Sequence, residues 1–245
     1  MCTVVVGFEP GSAWPVTLLG LRDEQPGRPW DPVGAWWPEL GPSVRGLHDR
    51  EAGGAWLASD DASARAAVVL NRREQFDEPA EGWTSRGVIP LAAVTSGLDA
   101  EVVVRTRTFN LVELAADRVR FTSWDGDALR SVDLRPGVHM ITHEGPDTVA
   151  VPRVSRWAPR FVAAGRPTGE PGGADWDPWL DVLRESATLA PDHDDAIVRE
   201  DEHDGIVLAS LSLTALALRP DRAVALRTAR LPEPGHLPAT LDWLP

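Results

Sequence analysis

The chain has 245 residues, 43% of them hydrophobic, which is the composition of a globular protein long enough to bury a core without disulfides or metal. Its net charge of −13 argues against binding to a nucleic-acid backbone, which requires a basic face. The one cysteine, Cys2, excludes an intramolecular disulfide and a multi-cysteine metal site.

The sequence predicts a single domain over residues 1–245, because no linker composition separates two parts. The first residues lack the basic and apolar regions of a signal peptide. The longest apolar segment, 205–218, is too short to span a bilayer. We therefore expect a cytoplasmic protein with no membrane span.

The first half of the chain predicts β-strands, because β-branched and apolar residues alternate with polar ones between turn-forming segments. The first two strands, 3–8 and 16–21, are joined by a segment rich in turn residues, which is typical of a hairpin with a longer loop. Six further strands are predicted at 55–59, 66–71, 102–108, 111–115, 118–123 and 128–133.

Helices are predicted later in the chain. The clearest is 174–185, where apolar residues recur at positions i, i+3, i+4 and i+7. Segments 90–98 and 153–164 also predict helices, although Pro159 interrupts the second.

The last part of the chain returns to a β pattern. Segments 205–218 and 223–231 flank a turn at 219–222 and predict a hairpin. Strands, then helices, then strands indicate a layered α+β domain.

Cys2 carries the clearest catalytic chemistry in the sequence. A methionine before a small residue is normally removed after synthesis, and its removal would leave Cys2 with a free α-amine. This amine titrates near ~7.7–8.0 and the thiol near ~8.5, so the amine can accept the thiol proton. The position predicts an N-terminal nucleophile; the alternative is that a cysteine at position 2 has no function.

Three segments resemble the NRDE family, also called the transport-and-Golgi-organisation family. They are Met1-Cys2-Thr3, then Leu21-Arg22-Asp23-Glu24 followed by Gly27-Arg28-Pro29, and residues 45–58, which contain Gly53, Gly54 and Trp56. Weaker similarity continues at 70–72, 109–111 and 136–139. The resemblance extends over nearly the whole chain and is strongest over residues 1–75.

The resemblance implies an N-terminal-nucleophile hydrolase-like fold, a four-layer αββα sandwich of two antiparallel sheets. It is similar in this to the cysteine amidases of the choloylglycine and penicillin V acylase type. By that analogy Cys2 is the nucleophile, Arg22 lies beside it and lowers its thiol pKa, and Asp23 or Glu24 holds the α-amine. Asn71, at the end of a predicted strand, is the candidate oxyanion donor.

The ligand-binding residues that we assign are Glu24, Arg28, Trp30, Gly53, Gly54 and Trp56. Trp30 lies near Trp36 and Trp37 in a proline-rich segment, which predicts either the wall of an apolar pocket or part of the core. The two adjacent glycines indicate either a turn with positive φ or the close approach of a ligand.

The sequence also departs from the family pattern at three places. Leu21 stands where the family has Asn, and Leu211 where it has Arg. The family's Leu-Ser-Asn is replaced near Ile141-Thr142-His143. If these positions supply an oxyanion donor and a substrate-binding cation, this chain lacks both.

Two functions are therefore expected. The favoured one is binding or trafficking of an apolar ligand such as haem or an acyl lipid, because the lost Asn and Arg weaken catalysis. The alternative is a cysteine amidohydrolase that forms an acyl-enzyme on Cys2, which the Met-Cys start supports.

Haem is expected only as a ligand, and no cofactor is required. His48, His139 and His143 are candidate iron ligands, although their spacing favours none of them. The acidic segments 192–195 and 200–204 lack the spacing of zinc or calcium loops, so no metal site is predicted.

Overall fold

The computed structural model describes residues 2–74, 79, 81–203, 205–219 and 224–244. Within these ranges the chain forms two antiparallel sheets, of eight and seven strands, and four α-helices. This architecture confirms the predicted α+β sandwich. Met1, whose removal is predicted above, and most of the predicted turn at 219–222 lie outside the described residues.

The elements have the following bounds. The strands are β1 (Thr3–Phe8), β2 (Val16–Glu24), β3 (Trp30–Gly34), β4 (Val44–Asp49), β5 (Ala55–Asp60), β6 (Arg65–Asn71), β7 (Phe109–Ala115), β8 (Arg118–Trp124), β9 (Leu129–Asp133), β10 (Gly137–Thr142), β11 (Gly145–Pro146), β12 (Glu200–His203), β13 (Ile206–Leu218), β14 (Val224–Arg230) and β15 (Trp243–Leu244). The helices are α1 (Val88–Val94), α2 (Ala100–Val103), α3 (Pro152–Ala164) and α4 (Asp177–Ser186).

The first sheet has the strand order β11-β10-β1-β2-β13-β14-β15, and β12 pairs with the start of β13. Its centre is formed by β1, β2 and β13. Thr3 pairs with Leu21, and Asp23 pairs with Ser210. This register brings the residue before β1 close to the end of β2 and the first half of β13.

The second sheet follows the chain order from β3 to β9, and α1 packs against β5, β6 and β7. Its first strand, β3, contains Pro32 and lies at the sheet edge. An edge tolerates proline because one side of the strand needs no backbone hydrogen bonds.

Successive side chains of a strand point to opposite faces of the sheet, and both faces of the first sheet are buried. Val4, Leu18 and Leu216 face the second sheet, whereas the alternate residues pack under α3 and α4. The helical layer buries three tryptophans at this interface: Trp157, Trp176 and Trp179. No helix in the described ranges is long and apolar enough to cross a membrane.

One predicted strand is wrong. Residues 102–108 alternate like a strand, but their first residues belong to the short helix α2. The Asp99 carboxylate accepts a hydrogen bond from the Glu101 amide at 2.8 Å and caps this helix. The rest of the segment makes a single bridge, between Thr84 and Thr106. Strands β3, β4 and β10 were not among the predicted strands.

Candidate functional site

Cys2 is buried at the point where β1 meets the end of β2. Its side chain is 6% exposed, and the Asp23 amide donates a hydrogen bond to Cys2 Sγ over 3.3 Å. Burial, with a further contribution from the negative charge of Asp23, raises the pKa of the Cys2 thiol to about 11. Arg22 acts in the predicted direction and favours the thiolate, but burial outweighs it.

Asp23 is held from the neighbouring strand β13. The Ser210 hydroxyl donates to Asp23 Oδ1 over 2.7 Å and accepts a hydrogen bond from the Arg199 amide over 3.1 Å. The register of β2 and β13 shifts at this point, and Leu211 is the extra residue on β13. We call Cys2, Arg22, Asp23 and Ser210 the Cys2 cluster.

Arg22, Glu24 and Arg28 form a chain of charges beside this cluster. Glu24 Oε2 lies 3.6 Å from Arg22 Nη2 and 3.9 Å from Arg28 Nε. Arg28 Nε also donates to Asp49 Oδ2 over 2.8 Å. Burial opposes ionisation of Asp49, but the hydrogen bond and charge of Arg28, together with hydrogen bonds from the Ala52 and Glu51 amides, outweigh burial and lower the Asp49 pKa. Arg28 is thus anchored to β4.

The predicted tryptophan wall lies mainly in the core. Trp30 and Trp37 are buried among the core residues, and Arg230 Cζ lies 3.9 Å from the centre of the Trp30 ring. Trp36 is exposed and stacks on His48 at 5.7 Å. Trp56 fills the space above Gly20, where a Cβ would lie 2.9 Å from Trp56 Cη2.

The two adjacent glycines serve backbone geometry. Gly53 has φ of +71°, the turn geometry that glycine adopts without strain, and its carbonyl accepts a hydrogen bond from Trp37 Nε1. Gly54 lies against the backbone of Gly87 at the start of α1, where an added Cβ would be 2.5 Å from the Gly87 carbonyl carbon. The close approach that the sequence suggests at Gly54 is to the chain itself.

A cavity of about 920 Å³ opens beside the Cys2 cluster. Of the site residues predicted from the sequence, only Asn71 lines it. Six arginines line the cavity: Arg72, Arg73, Arg86, Arg107, Arg153 and Arg199. Its acidic lining residues are Glu74, Glu144, Asp194 and Asp201. The lining is therefore net positive in a chain that is strongly acidic.

The positive charges in this cavity affect one another. Burial and the neighbouring Arg107 lower the pKa of Arg86 to about 10. Burial and the neighbouring Arg199 lower the pKa of Arg153 to about 10. Burial and the charge of Arg153 lower the pKa of His143 to about 3, so this imidazole is neutral at pH 7.

Cys2 is buried and does not line the cavity, but its charge affects the pKa of both Arg86 and Arg153, which do. Of the two predicted parts of the catalytic site, Asn71 therefore lines the cavity and the thiol does not.

A second asparagine supports the cavity floor. The Asn110 side-chain amide donates to the carbonyls of Thr142 and His143, each over 2.9 Å. Arg72 in turn donates to Asn110 Oδ1 over 3.1 Å. Both donor hydrogens of Asn110 are used, so this amide fixes the end of β10 rather than facing a ligand.

The arginine lining was not predicted from the sequence. Its residues come from separate segments of the chain. Only Arg72 and Arg73 are adjacent in the sequence, directly after the predicted strand that ends at Asn71, and could have indicated a basic site. Of the three candidate histidines, only His143 lines the cavity. The described residues contain no group of three or more His, Cys, Asp or Glu side chains that could hold a metal.

Comparison with known proteins agrees with the sequence motifs. No curated protein matches the chain significantly. The sequence model of the family Transport and Golgi organisation 2 (TANGO2) matches residues 1–191, which include the Cys2 side of the cluster and most of the cavity lining, but not Ser210. The match covers most of the chain and confirms the resemblance noted above: the protein belongs to the TANGO2 family.

Proposed function

We propose that the protein binds and carries a small ligand with an apolar part, such as haem or an acyl lipid. The observation that supports this is the cavity of about 920 Å³, a volume typical of small-molecule sites. Its lining includes a substantial apolar portion: Trp83, Val151, Pro152, Ile206 and Leu208. Ile206 is exposed at the same time, so apolar surface extends to the cavity mouth.

The chemistry of Cys2 favours carriage over turnover. A thiol with a pKa of about 11 is almost entirely protonated at pH 7, and the thiolate is the nucleophile. The thiol is also buried and does not line the cavity. A ligand in the cavity would thus be held without covalent attack.

Haem titration tests the proposal, with Trp83 as the reporter in the cavity wall. We expect saturable quenching of tryptophan fluorescence, together with a saturable change in the haem absorption spectrum. Trp83→Phe should reduce the quenching, while the change in the haem absorption spectrum still saturates. Trp36→Phe is the matched control, because Trp36 is exposed and does not line the cavity. Quenching without saturation, for haem and for a fatty acid such as laurate, would contradict the proposal.

A second candidate, the cysteine amidohydrolase, is supported by the hydrogen bond between Ser210 and Asp23 next to Cys2. A buried carboxylate fixed beside Cys2, the residue before β1, is suitable for holding an α-amine. Intact-mass spectrometry during alkylation tests it, because one experiment reports both the loss of Met1 and the thiol pKa. Loss of Met1 with a thiol pKa well below ~8.5 would favour the hydrolase. Retained Met1 would remove its mechanism.

A further inference from the structure

Two short segments of the chain form one wall of the cavity. The Thr84 amide donates to the Arg105 carbonyl over 2.9 Å, and Thr84 and Thr106 form a bridge. Arg86 Nη1 donates to the Thr108 carbonyl over 3.0 Å. Residues on either side of this connection line the cavity, and we call them the arginine wall: Trp83, Arg86, Arg107 and Thr108.

Neither arginine of this wall forms an ion pair with a carboxylate in the described part of the chain, whereas Arg72 and Arg199 in the same lining do. The negative charge of Glu24 acts on Arg86 without an ion pair between them. Arg72 pairs with Glu74, and Arg199 pairs with Asp201 at 3.2 Å. The arginine wall therefore places two like charges together at the cavity surface.

Such an arrangement is unfavourable without an anion. Burial and the charge of Arg107 both disfavour the protonated form of Arg86, so its pKa falls to about 10. An anion between the two guanidinium groups would offset the repulsion and accept charge-assisted hydrogen bonds from both. The planar fork of guanidinium donors matches the oxygens of carboxylate and phosphate groups.

We propose that Arg86 and Arg107 form an anion-binding subsite that takes the carboxylate or phosphate group of an amphipathic ligand. This inference rests on the proposed carrier function and adds the chemical class of the ligand. The Arg86 side chain is oriented by its bond to Thr108, and Arg107 lies over the Trp83 ring, 6.0 Å from its centre. The apolar part of the ligand would lie against Ile206 and Leu208, which line the same cavity.

Isothermal titration calorimetry with four probes separates the contributions of the anionic group and of the alkyl chain to binding. Laurate and dodecyl phosphate carry the same chain with two different anions, dodecanol carries the chain alone, and inorganic phosphate carries the anion alone. All are used below the concentration at which they form micelles. We expect laurate and dodecyl phosphate to bind about tenfold or more tightly than dodecanol, because dodecanol has no charge-assisted hydrogen bonds to offer. The stronger of the two anionic probes identifies the preferred group.

Arg107→Gln is the main variant, because Arg107 is exposed and its loss leaves the fold intact. It should weaken laurate or dodecyl phosphate binding about tenfold and leave dodecanol binding unchanged. Arg86→Gln should act in the same way. The matched control is Arg105→Gln, since Arg105 is exposed in the same segment and does not line the cavity.

The outcomes distinguish this inference from the proposed function. Dodecanol binding as tight as laurate binding would overturn the anion subsite and leave the carrier function standing. Equal effects of Arg107→Gln and Arg105→Gln would also overturn the subsite. Binding of inorganic phosphate that depends on Arg107, with no binding of any alkyl probe, would support the subsite and contradict the carrier function. If none of the four probes binds, the subsite is contradicted, and the haem titration described above decides the carrier function.

Discussion

The Cys2 cluster and the arginine wall are neighbours, yet their polar groups are satisfied in different ways. In the Cys2 cluster, Cys2, Asp23 and Ser210 receive their hydrogen bonds from the chain itself. In the arginine wall, the charge of Arg107 lowers the pKa of Arg86, and neither residue forms an ion pair with a carboxylate in the described part of the chain. The thiol, the carboxylate and the hydroxyl of the cluster are thus held by the chain itself, whereas the two cations of the wall repel each other. Changes in the cluster should therefore affect stability, and changes in the wall should affect binding.

The largest effect is expected from Asp23→Ala in the Cys2 cluster. This change removes a buried carboxylate that accepts from Ser210 and stabilises the nearby charge of Arg153. We expect the free energy of unfolding to fall by roughly 3–5 kcal/mol, because a buried charge loses its counter-charge. Urea denaturation measures it. Asp117→Ala, in an exposed turn, is the control and should stay within about 0.5 kcal/mol of the parent.

The next effect concerns His143, which lines the cavity. Its pKa is about 3 in the folded protein and near 6.5 when unfolded, so the unfolded chain takes up the proton first as the pH falls. This contribution to stability is complete above pH 6.5 and is lost towards pH 3. We expect this titration to lower the free energy of unfolding by roughly 2–4 kcal/mol as the pH falls towards 3. His143→Gln should abolish this part of the decline.

Denaturation across this pH range, with His236→Gln as the exposed control, measures the difference. Parallel pH profiles for the parent and His143→Gln would contradict the buried, neutral state of His143.

A smaller effect is expected at alkaline pH. The Cys2 thiol has a pKa of about 11 when folded and about 9 when unfolded, so the unfolded chain loses the proton first. Between pH 9 and 10.5 the parent should therefore lose about 1–2 kcal/mol of stability relative to Cys2→Ala. Arg86 and Arg153, with pKa values of about 10, titrate in the same range and act in the opposite direction, so the two proteins are compared at each pH. Parallel pH profiles for the parent and Cys2→Ala would contradict the raised pKa of the thiol.

The smallest effect on stability is expected in the arginine wall. Arg107→Gln removes a repulsion with Arg86 and breaks no ion pair, so the free energy of unfolding should stay within about 0.5 kcal/mol or rise slightly. Thermal unfolding without ligand, compared with Arg105→Gln, checks this. A clear loss of stability would mean that Arg107 supports the fold and would break the distinction between the two regions.

The sequence predicted much of the fold because strand alternation reports local geometry. Segment 3–8 matches β1, and the predicted C-terminal hairpin matches β13 and β14 within a residue or two. The strand predicted at 102–108 is wrong because Asp99 caps a short helix there, and the alternating pattern does not report this cap. Strand β3 was not predicted because it contains Pro32, and proline is typical of loops although an edge strand also tolerates it.

Less of the candidate site than of the fold could be predicted from the sequence. The motif around Arg22 and Asp23 indicated that these residues lie near Cys2, and the structure brings Cys2 and Asp23 into contact. The thiol pKa depends on burial, which a motif does not report, and it is raised rather than lowered. The cavity depends on arginines far apart in the chain, such as Arg86 and Arg153, whose proximity only the folded topology creates.

The pairing of β2 with β13 sets the order in which the protein can be assembled. Leu18 pairs with Leu216, so two central neighbours of the first sheet come from nearly opposite ends of the chain. During synthesis on the ribosome, the apolar edge of β2 remains unpaired until β13 has emerged. Contacts this distant in sequence slow folding and leave an aggregation-prone edge exposed in the meantime. Expression with a chaperone that shields nascent strands should therefore raise the yield of folded protein.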